Sequence, residues 1–481
     1  VYDERAARDY LTGLANEIDK PIIEASLQVT GTDVVVTPGQ IGRTLDVDEA
    51  LDLLRVQLPS LTDGLIPLIV HESPPVIIDV SEQAEAARRI LSAPLALSIP
   101  NPEEGDPGPW TFETSVLAKM IDIERVESPE GARYQVGLNT SELRTFLEET
   151  APKLLRWPQN ARMMFNDDTR QLEVIQDAVI GRHLDVDTSL TEINQKLAAG
   201  EHNISLTVAT TNPDVTNSTT AEELGIRELV SEHTSYFRGS GSSRIQNIVT
   251  ASSRFHGVLV PPGATFSMAD VIGNVSLDTG YAEALIILGD RTIQGVGGGV
   301  CQVSTTLFRT AFLGGYPIVE RYPHAYRVGY YEQTSGGRNT DYAGLDATVF
   351  VPVVDFKFIN YSSSWLLMET YVNRSSGYLT WKFYSASDGR TVEWDTTGLQ
   401  NITEPPPPLY EEDPELGEGE IKQVDYEVEG ADVTINRTVF KDGGVLFTDA
   451  FSTHYLPWRS IFKYGPGTEI PEQESEESGE E

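Results

Sequence analysis

The chain has 481 residues, of which 40% are apolar, 22% are charged and 9% are aromatic. At about 150 residues per domain, this length predicts about three domains, and the apolar content excludes a chain that is disordered throughout. The chain has 73 acidic and 35 basic residues, so its formal net charge is −38. Such acidity argues against nucleic acid as a partner, since binding a polyanion needs a positive surface.

Two further features concern the membrane and the start of the chain. No apolar run reaches the ~18 residues that predict a membrane-spanning helix. The sequence begins at Val1, without an initiator Met or a signal-like apolar core. We therefore expect a mature or trimmed segment, with a signal or membrane anchor upstream of it.

An internal repeat marks the first part of the chain. Residues 41–51 read IGRTLDVDEAL, and residues 180–190 read IGRHLDVDTSL. Each copy follows a strand-like stretch, and its LDVD sequence supplies an Asp that can cap the helix after it. A β-rich run closes each copy. The repeat predicts two duplicated α+β modules, residues 1–78 and 79–211.

Amphipathic helices are predicted before the two copies, at Glu4–Ile18 and Ser81–Leu91. The second module adds an acidic loop rich in Pro and Gly, Asn101–Pro109, and a helix at Thr140–Leu155. Neither module contains a recognisable set of catalytic residues.

The chain changes character after the repeats, because the next residues are rich in Gly, Tyr and Ser. The run Pro405–Pro408 has acidic flanks and predicts an extended linker. Alternating apolar residues on both sides of Asp442-Gly443-Gly444 predict a β-hairpin. The acidic end of the chain is predicted to be a disordered tail. The predicted boundaries are 221–402 for a third module with trailing β-strands, 403–420 for the linker, 421–466 for a small β module and 467–481 for the tail.

Cys301 is the single cysteine of the chain, which excludes an intramolecular disulfide and a zinc site built from several thiolates. Taken alone, it fits a buried apolar residue, an incidental thiol or a nucleophile. It follows the glycine-rich run Gly295–Gly299 and precedes a helical pattern that ends at Gly314-Gly315. Cys301 is therefore predicted in the first turn of a helix, where unpaired N–H groups and the helix dipole lower the pKa of a thiol.

The glycines before Cys301 also allow a substrate carbonyl to approach the main chain, whose N–H groups can form an oxyanion hole. A nucleotide-binding loop is the competing interpretation of glycines before a helix. It is disfavoured, because no Lys follows the glycines and their spacing matches neither phosphate-loop pattern.

A nucleophilic thiol needs a base, and the base needs a group that orients it. His324, on a strand predicted after the cysteine helix, is the candidate base, although it also fits a structural histidine. Asp346, predicted to begin the next apolar strand, is the candidate orienting group, with Asp341 and Glu320 as alternatives. The remaining histidines of this module are assigned to structural positions: His233 and His256.

The third module resembles the VanW domain over about 225–360, and its most specific stretch is the Gly-Gly-Gly-Val-Cys-Gln-Val-Ser sequence that contains Cys301. The repeats before it are similar to peptidoglycan-binding modules that commonly precede VanW or transpeptidase domains. One departure from the family is a longer polar segment, Gln333–Ala343, which fits a substrate lid or a loop insertion. The matching stretches are Pro262–Met268, Gly280-Tyr281, Gly297–Leu307, Glu320-Arg321 with His324, and Asp346–Val349.

The resemblance implies a bacterial cell-envelope protein from a family that is associated with glycopeptide antibiotic resistance. Some members are implicated as L,D-transpeptidases that use the motif cysteine, which implies Cys301 as the nucleophile here. The expected fold class is α+β multidomain. It comprises two repeated α+β wall-binding modules, a mixed α/β VanW domain with the cysteine at a helix N-terminus, and a small β-rich C-terminal module.

We therefore expect a cell-wall-associated protein that acts on peptidoglycan stem peptides through a cysteine acyl-enzyme. Cys301 is the expected nucleophile, His324 the acid and base, and Asp346 the orienting group. No metal ion or other cofactor is expected. The alternatives are a non-catalytic peptidoglycan-binding surface scaffold, and a cysteine peptidase or amidase that uses the same residues.

Substrate contacts are expected from the glycine-rich run, from the first turn of the helix and from nearby arginines. Arg321, Arg327 and Arg338 are candidates for binding stem carboxylates, although each also fits a solvated strand or loop residue. The expected location is extracellular, at the cell wall or surface, with peptidoglycan as the partner; the oligomeric state stays open. The candidate substrate-binding residues are Gly298, Gly299, Gln302, Ser304, Arg321 and Arg327.

Overall fold

The computed structural model describes residues 2–129, 131–288 and 291–471. The chain divides into two compact units. The first unit is Val1–Gln159 with Ile180–Asn212, and the second is Asn160–Val179 with Pro213–Glu481. Helices and many short strands occur in both units, which confirms the predicted α+β multidomain class.

The first 212 residues form helices and short strands that alternate along the chain. In chain order they are α1 (Glu4–Ile18), β1 (Ser26–Thr30), β2 (Asp33–Thr37), β3 (Gly42–Leu45), α2 (Val47–Gln57), β4 (Val70–Ser73), α3 (Ser81–Ile90), β5 (Leu95–Ser98), β6 (Trp110–Phe112), α4 (Thr114–Met120), β7 (Ile121–Ser128), β8 (Gly131–Leu138), α5 (Ser141–Leu154), β9 (Arg162–Asn166), β10 (Gln171–Gln176), β11 (Gly181–Leu184), α6 (Val186–Ala199), β12 (Asn203–Ser205) and β13 (Val208–Thr211).

The rest of the chain is richer in strands. Its elements are α7 (Ala221–Leu224), β14 (Glu228–Tyr236), α8 (Ser242–Ser253), β15 (Val258–Val260), β16 (Thr265–Ser267), α9 (Met268–Ile272), β17 (Glu283–Leu288), β18 (Arg291–Val296), α10 (Val300–Leu313), β19 (Ile318–Glu320), β20 (Gln333–Thr334), β21 (Gly337–Arg338), β22 (Lys357–Ile359), β23 (Leu366–Asn373), β24 (Tyr378–Ser385), β25 (Thr391–Thr396), β26 (Gln400–Thr403), β27 (Leu409–Glu412), β28 (Ile421–Asp425), β29 (Gly430–Lys441), β30 (Gly444–Tyr455) and β31 (Ile461–Tyr464).

The sequence repeat of the first unit is also a structural repeat. In the first copy β3 and β4 pair antiparallel around α2, and in the second copy β11 and β13 do the same around α6. The predicted caps are present, because the carboxylates of Asp46 and Asp185 accept hydrogen bonds from the N–H groups of Glu49 and Thr188. The three predicted helices of this region are confirmed as α1, α3 and α5, to within one residue at each end.

The hairpin β9–β10 belongs to the second unit, although the sequence interpretation included it in the module 79–211. Its apolar residues explain this, because Met163 and Phe165 pack with Leu259, Leu367 and Tyr384. The predicted module boundaries remain a prediction; the observed division follows the packing of apolar side chains.

Helix α10 lies at the centre of the second unit. It is buried along almost its whole length, from Val300 to Phe312, although six of its buried residues are polar or charged: Gln302, Ser304, Thr305, Thr306, Arg309 and Thr310. It packs against α8 and against β14 and β24 of the antiparallel sheet β14-β24-β23-β15. A second sheet, β16-β22-β19, contributes Phe266 and Phe358 to the same core. The first turn of α10 is therefore held by packing on several sides.

The C-terminal strands share this core. The predicted hairpin is confirmed as β29–β30, and its turn residues Asp442 and Gly443 both have positive φ, as a type I′ turn requires. Strand β29 also pairs with β25 and β26, and Val433 and Ile435 pack in the core that contains α10. Part of the predicted linker, Leu409–Glu412, forms β27 and pairs with β31. Of the predicted tail 467–481, residues 472–481 lie outside the described residues.

Candidate active site

Cys301 is the second residue of α10, as the sequence predicts, and the chain enters this helix from the glycine-rich run. Gly299 has φ +109°, a conformation that L side chains rarely adopt. A Cβ at Gly298 would collide with the carbonyl oxygen of Leu285 on β17. Only glycine fits at these two positions, and they bring the main chain against β17 just before the cysteine.

The first turn of α10 presents free amide groups. Among the described residues, no acceptor in the protein pairs with the N–H groups of Gly298, Gly299 or Cys301. The two neighbouring amides are paired, because Val300 donates to the carbonyl of Gly297 and Gln302 to that of Gly299. Unpaired amides at a helix N-terminus favour an anion beside them.

The Cys301 thiol is half-buried and has polar neighbours. Its Sγ lies 3.3 Å from Thr348 Oγ1 and 3.7 Å from the carbonyl oxygen of Val349. Burial alone would raise the pKa of Cys301, but its interaction with His324, helped by Thr348, lowers the pKa to about 7. The thiol is therefore substantially ionised near neutral pH.

His324 is buried and is held from two sides. Its Nδ1 lies 2.6 Å from Asp346 Oδ2, and its main-chain N–H donates to the same oxygen over 2.7 Å. The Tyr331 hydroxyl is 3.3 Å from Nε2. Burial would lower the pKa of His324, but the hydrogen bonds and charges of Asp346 and Cys301 outweigh it and raise the pKa to about 9. The favoured state at neutral pH is thus an imidazolium beside a thiolate.

Asp346 is buried and accepts hydrogen bonds at both oxygens. Oδ2 receives the two donors of His324, and Oδ1 receives the Tyr455 hydroxyl over 2.6 Å. The Arg321 guanidinium lies 3.5 Å from Oδ1. Burial would raise the pKa of Asp346, but these hydrogen bonds and charges hold it well below its usual range. The carboxylate is therefore ionised and fixes the orientation of the imidazole.

Neither His324 nor Asp346 lies on the strand that the sequence predicts for it. β19 ends at Glu320, so the chain is irregular at His324, and no strand is assigned around Asp346. The carbonyl groups near Asp346 are taken by side chains of α10 instead of by a β-ladder. Ser304 Oγ donates to the Ala347 carbonyl over 2.5 Å, and Arg309 Nε donates to the Leu345 carbonyl over 2.6 Å. These contacts tie the orienting carboxylate to the cysteine helix.

Three of the predicted substrate-binding residues have structural roles instead. Gln302 is fully buried, and its amide is occupied by Ser235 and Arg244. Ser304 is also fully buried, and its hydroxyl donates a hydrogen bond to the Ala347 carbonyl. The buried guanidinium of Arg321 donates to the carbonyls of Gly344 and Asp346 and to Thr453 Oγ1. Their hydrogen-bonding groups are used inside the protein, so these three residues build the site without facing a ligand.

Gly298, Gly299 and Arg327 do line a cleft of about 1210 Å³, and so do Cys301 and His324. Arg327 is not free there, because it forms two hydrogen bonds with the buried carboxylate of Glu332, at 2.5 and 2.9 Å. Arg338 pairs with the same carboxylate. The walls of the cleft are mainly apolar and aromatic and come from several parts of the second unit, which include the hairpin β17–β18, residues 326–331, residues 348–354 and residues 424–428.

The alternative candidates lie elsewhere. Glu320 pairs with Lys357 over 2.7 Å, and Asp341 is exposed. His256 Nδ1 accepts a hydrogen bond from the N–H group of Thr370. Within residues 2–129, 131–288 and 291–471, no group of three or more His, Cys, Asp or Glu side chains is arranged to hold a metal ion.

Sequence reasoning missed several residues of the site. Thr348 lies inside the Asp-Ala-Thr-Val stretch that contains Asp346, but its residue type alone indicated no role. Tyr331 is seven residues after His324, directly after the segment predicted to be a strand. Tyr455 and Arg244 are brought in by packing from distant parts of the chain, and no local signal marks them.

Two parts of the chain match known protein families. Residues 243–384, which include Cys301, His324 and Asp346, match the family described as VanW like protein. Residues 243–384 of this chain therefore form a VanW domain. Residues 1–63 match a family described as "Putative peptidoglycan binding domain", which associates the chain with the cell wall.

Two curated relatives match parts of this chain. The Uncharacterized protein YoaR of Bacillus subtilis (strain 168) is 34% identical over 159 residues, which are 33% of this chain and 48% of that protein. The Vancomycin B-type resistance protein VanW of Enterococcus faecalis (strain ATCC 700802 / V583) is 26% identical over 118 residues, 24% of this chain and 41% of that protein. The chain thus spans less than half the length of each relative.

Two solved structures resemble this chain only weakly. The crystal structure of HP0197-G5 is 19% identical, covers 16% of this chain and 97% of its own, and has a TM-score of 0.09. The structure of the Ldtfm-avibactam carbamoyl enzyme is 10% identical, covers 29% of this chain and 48% of its own, and has a TM-score of 0.17. Such scores support no argument. In the described part of the chain, no helix combines the length and the apolar character needed to cross a bilayer.

Proposed function

We propose that this VanW-domain protein acts on peptidoglycan stem peptides as a cysteine acyltransferase of the L,D-transpeptidase type. One observation carries the proposal. The only thiol of the chain lies in the first turn of a helix in a cleft, where His324 and Thr348 lower its pKa to about 7 and Asp346 orients His324. A thiolate with an oriented imidazolium is the arrangement that acyl transfer through a thioester requires.

The first half of the reaction forms the acyl-enzyme. The Cys301 thiolate attacks the carbonyl carbon of a meso-diamino acid residue in the stem, and a sulfur–carbon bond forms. The negative charge on the carbonyl oxygen is stabilised by the free amides of the first turn, those of Gly299 and Cys301. The peptide bond to the terminal D-residue then breaks, and its amine leaves with a proton from His324.

The second half releases the acyl group. The side-chain amine of a neighbouring stem attacks the thioester and gives a proton to the His324 imidazole, and the sulfur–carbon bond breaks. This restores the thiolate and leaves a cross-link between two stems. Water in place of the amine gives a trimmed stem, so the same residues support carboxypeptidase activity.

The cellular setting of the proposal follows from the peptidoglycan-binding match. The N-terminal region would hold the protein on the cell wall, and the second unit would act on stems within reach. An extracellular location and anchoring to the membrane belong to the same proposal. A non-catalytic wall scaffold has the same N-terminal match but gives no reason for an oriented imidazole beside the thiol.

The test uses the whole chain with purified tetrapeptide muropeptides that contain a meso-diamino acid. We expect cross-linked or trimmed product together with the released D-residue, and we expect neither from Cys301→Ala. Cys301→Ser is the matched variant, because it keeps an atom of similar position while removing the thiolate. Unchanged product in Cys301→Ala would overturn the proposal. Binding to cell-wall sacculi with no product from the wild type would favour the scaffold.

A further inference from the structure

Arg244 lines the same cleft as Cys301 and has no part in the proposed acyl transfer. It lies in the first turn of α8 and packs against the start of α10. A Cβ at Gly299 would come within 2.9 Å of both the Arg244 Cγ and its carbonyl oxygen, so glycine is needed for this packing. The Arg244 guanidinium also lies 4.2 Å from the centre of the Tyr330 ring, which holds its plane in place.

The partners of Arg244 are all neutral. Its two terminal nitrogens donate to Ser240 Oγ over 2.6 Å and to Gln302 Oε1 over 2.9 Å. A guanidinium has five N–H donors, so this pairing leaves others for a ligand. Among the described residues, no carboxylate forms an ion pair with Arg244, although the ionised Cys301 is close enough to interact with its charge.

Three other enclosed arginines of the second unit pair with carboxylates: Arg327 with Glu332, Arg437 with Asp449 and Arg390 with Asp388. The fully buried Arg309 has no carboxylate partner among the described residues, and it donates instead to the main-chain carbonyls of Leu345 and Tyr331. Arg244 has neither kind of partner within the described part of the chain, and it lines the cleft. Since an enclosed cation without a counterion is costly, the retention of Arg244 beside a reactive thiol needs a reason. An anionic group that enters the cleft with the substrate supplies one.

We infer that Arg244 binds the free terminal carboxylate of the acyl-donor peptide and so makes the site specific for the last peptide bond of a stem. The inference rests on the proposed function and gives it a substrate class, peptides that end one residue after the scissile bond. A charged, planar guanidinium suits a carboxylate, which it contacts with two hydrogen bonds. Peptides with an amidated end, or with further residues there, would lack this contact.

Alkylation of the single thiol tests the anion site without any peptide. Iodoacetate and iodoacetamide both form a sulfur–carbon bond at Cys301 and release iodide, but only iodoacetate carries a carboxylate. We expect the ratio of their rates, iodoacetate over iodoacetamide, to fall about tenfold in Arg244→Gln, as loss of a charge-assisted hydrogen bond predicts. A change in thiol pKa alters both rates equally and leaves the ratio alone.

Two further variants separate charge from structure. Arg244→Lys keeps the charge and should retain most of the ratio. Arg238→Gln removes an exposed arginine of the same cleft and should leave the ratio within about twofold of the wild type, a difference too small for a lost charge-assisted hydrogen bond. The inference is overturned if Arg244→Gln, folded by circular dichroism, has the wild-type ratio, or if Arg238→Gln lowers it as much.

Peptide donors distinguish failure of this inference from failure of the proposed function. We expect Cys301 of the wild-type protein to be acylated by a donor with a free terminal carboxylate about tenfold to a hundredfold faster than by the corresponding C-terminal amide. Equal rates for the two donors would overturn the carboxylate contact and leave the acyltransferase standing. No acylation of Cys301 by either donor, combined with the expected alkylation ratios, would contradict the proposed reaction and support an anion site beside the thiol.

Discussion

Two histidines of the second unit, His324 and His233, have buried ring nitrogens but differ in protonation state. His324 lies 2.6 Å from the Asp346 carboxylate, and its pKa is raised to about 9 although burial opposes this. His233, on β14, has no carboxylate partner, and its Nε2 is without a hydrogen bond within the described residues. Burial, together with the nearby charge of Arg309, lowers the pKa of His233 to about 3.

This difference shows that the carboxylate partner, and not burial, sets the protonation state of the imidazole. Desolvation disfavours the charged form of any histidine, so an enclosed ring without a partner is neutral. His324 is an imidazolium at neutral pH because Asp346 and the Cys301 thiolate are both beside it. Removing this carboxylate should therefore make His324 resemble His233.

The largest effect is expected from Asp346→Asn. The amide cannot stabilise an imidazolium and favours the wrong tautomer of His324, so acylation of Cys301 by stem peptides should fall by about 10⁴-fold. The measurement is the single-turnover rate of thioester formation. Asp355→Asn is the matched control, because Asp355 is another buried carboxylate of the same unit, which accepts hydrogen bonds from Ser267 and Ala269 and has no histidine partner among the described residues. An equal loss in both variants would count against a role in orienting His324.

The pH dependence gives the next largest effect. Thiolate is lost as pH falls through the pKa of Cys301, so alkylation by iodoacetamide should drop by about tenfold per unit below about pH 7. Acylation by peptides should also decline as pH rises through about 9, because His324 then loses the proton that the leaving amine needs. The expected profile is a bell for peptides and a plateau for iodoacetamide. A peptide rate that keeps rising above about pH 10 would contradict it.

Tyr455→Phe should have a smaller effect. It removes the hydrogen bond to Asp346 Oδ1 and leaves the rest of the ring in the core. A hydrogen bond to a charged group contributes about 1.5 kcal/mol, so the rate of Cys301 acylation should fall about tenfold. Tyr426→Phe, at an exposed tyrosine of the same cleft, is the control and should change the rate little.

The smallest effect is expected from Thr348→Val. The variant keeps the shape of the side chain and removes the hydroxyl that lies 3.3 Å from Cys301 Sγ. The pKa of the thiol should rise slightly, and alkylation at about pH 7 should slow by about threefold. Rates that converge with the wild type at about pH 10 would support this explanation, whereas a constant deficit at every pH would indicate displaced packing.

Local sequence signals predicted the parts of the fold and site that depend on neighbouring residues. The caps at Asp46 and Asp185, the cysteine at the first turn of α10 and the turn at Asp442 follow from spacing alone. The pairing of His324 with Asp346 was a prediction from residue type and order. Its geometry depends on long-range contacts.

The features that sequence reasoning missed depend on packing between distant segments. Apolar alternation near Asp346 predicted a strand, but α10 side chains take the carbonyls that a neighbouring strand would use. Tyr455 reaches Asp346 from a segment predicted as a separate module, because β29 and β30 pack in the core of α10. Arg321 carries a charge that predicted ligand binding, yet main-chain carbonyls surround it.

The central claim is that the Cys301 thiol is ionised near neutral pH because His324 is charged beside it. Thiolate absorbance in the ultraviolet, followed against pH in the folded chain, measures this directly, since no other cysteine contributes. The account predicts a midpoint of about 7 for the wild type and for His233→Gln. In His324→Gln the midpoint should rise to the ordinary value of 9.0 or above it, because burial is then opposed only by the weaker contacts with Thr348 and Val349. A wild-type midpoint at that ordinary value, or one that His324→Gln leaves in place, would contradict the account.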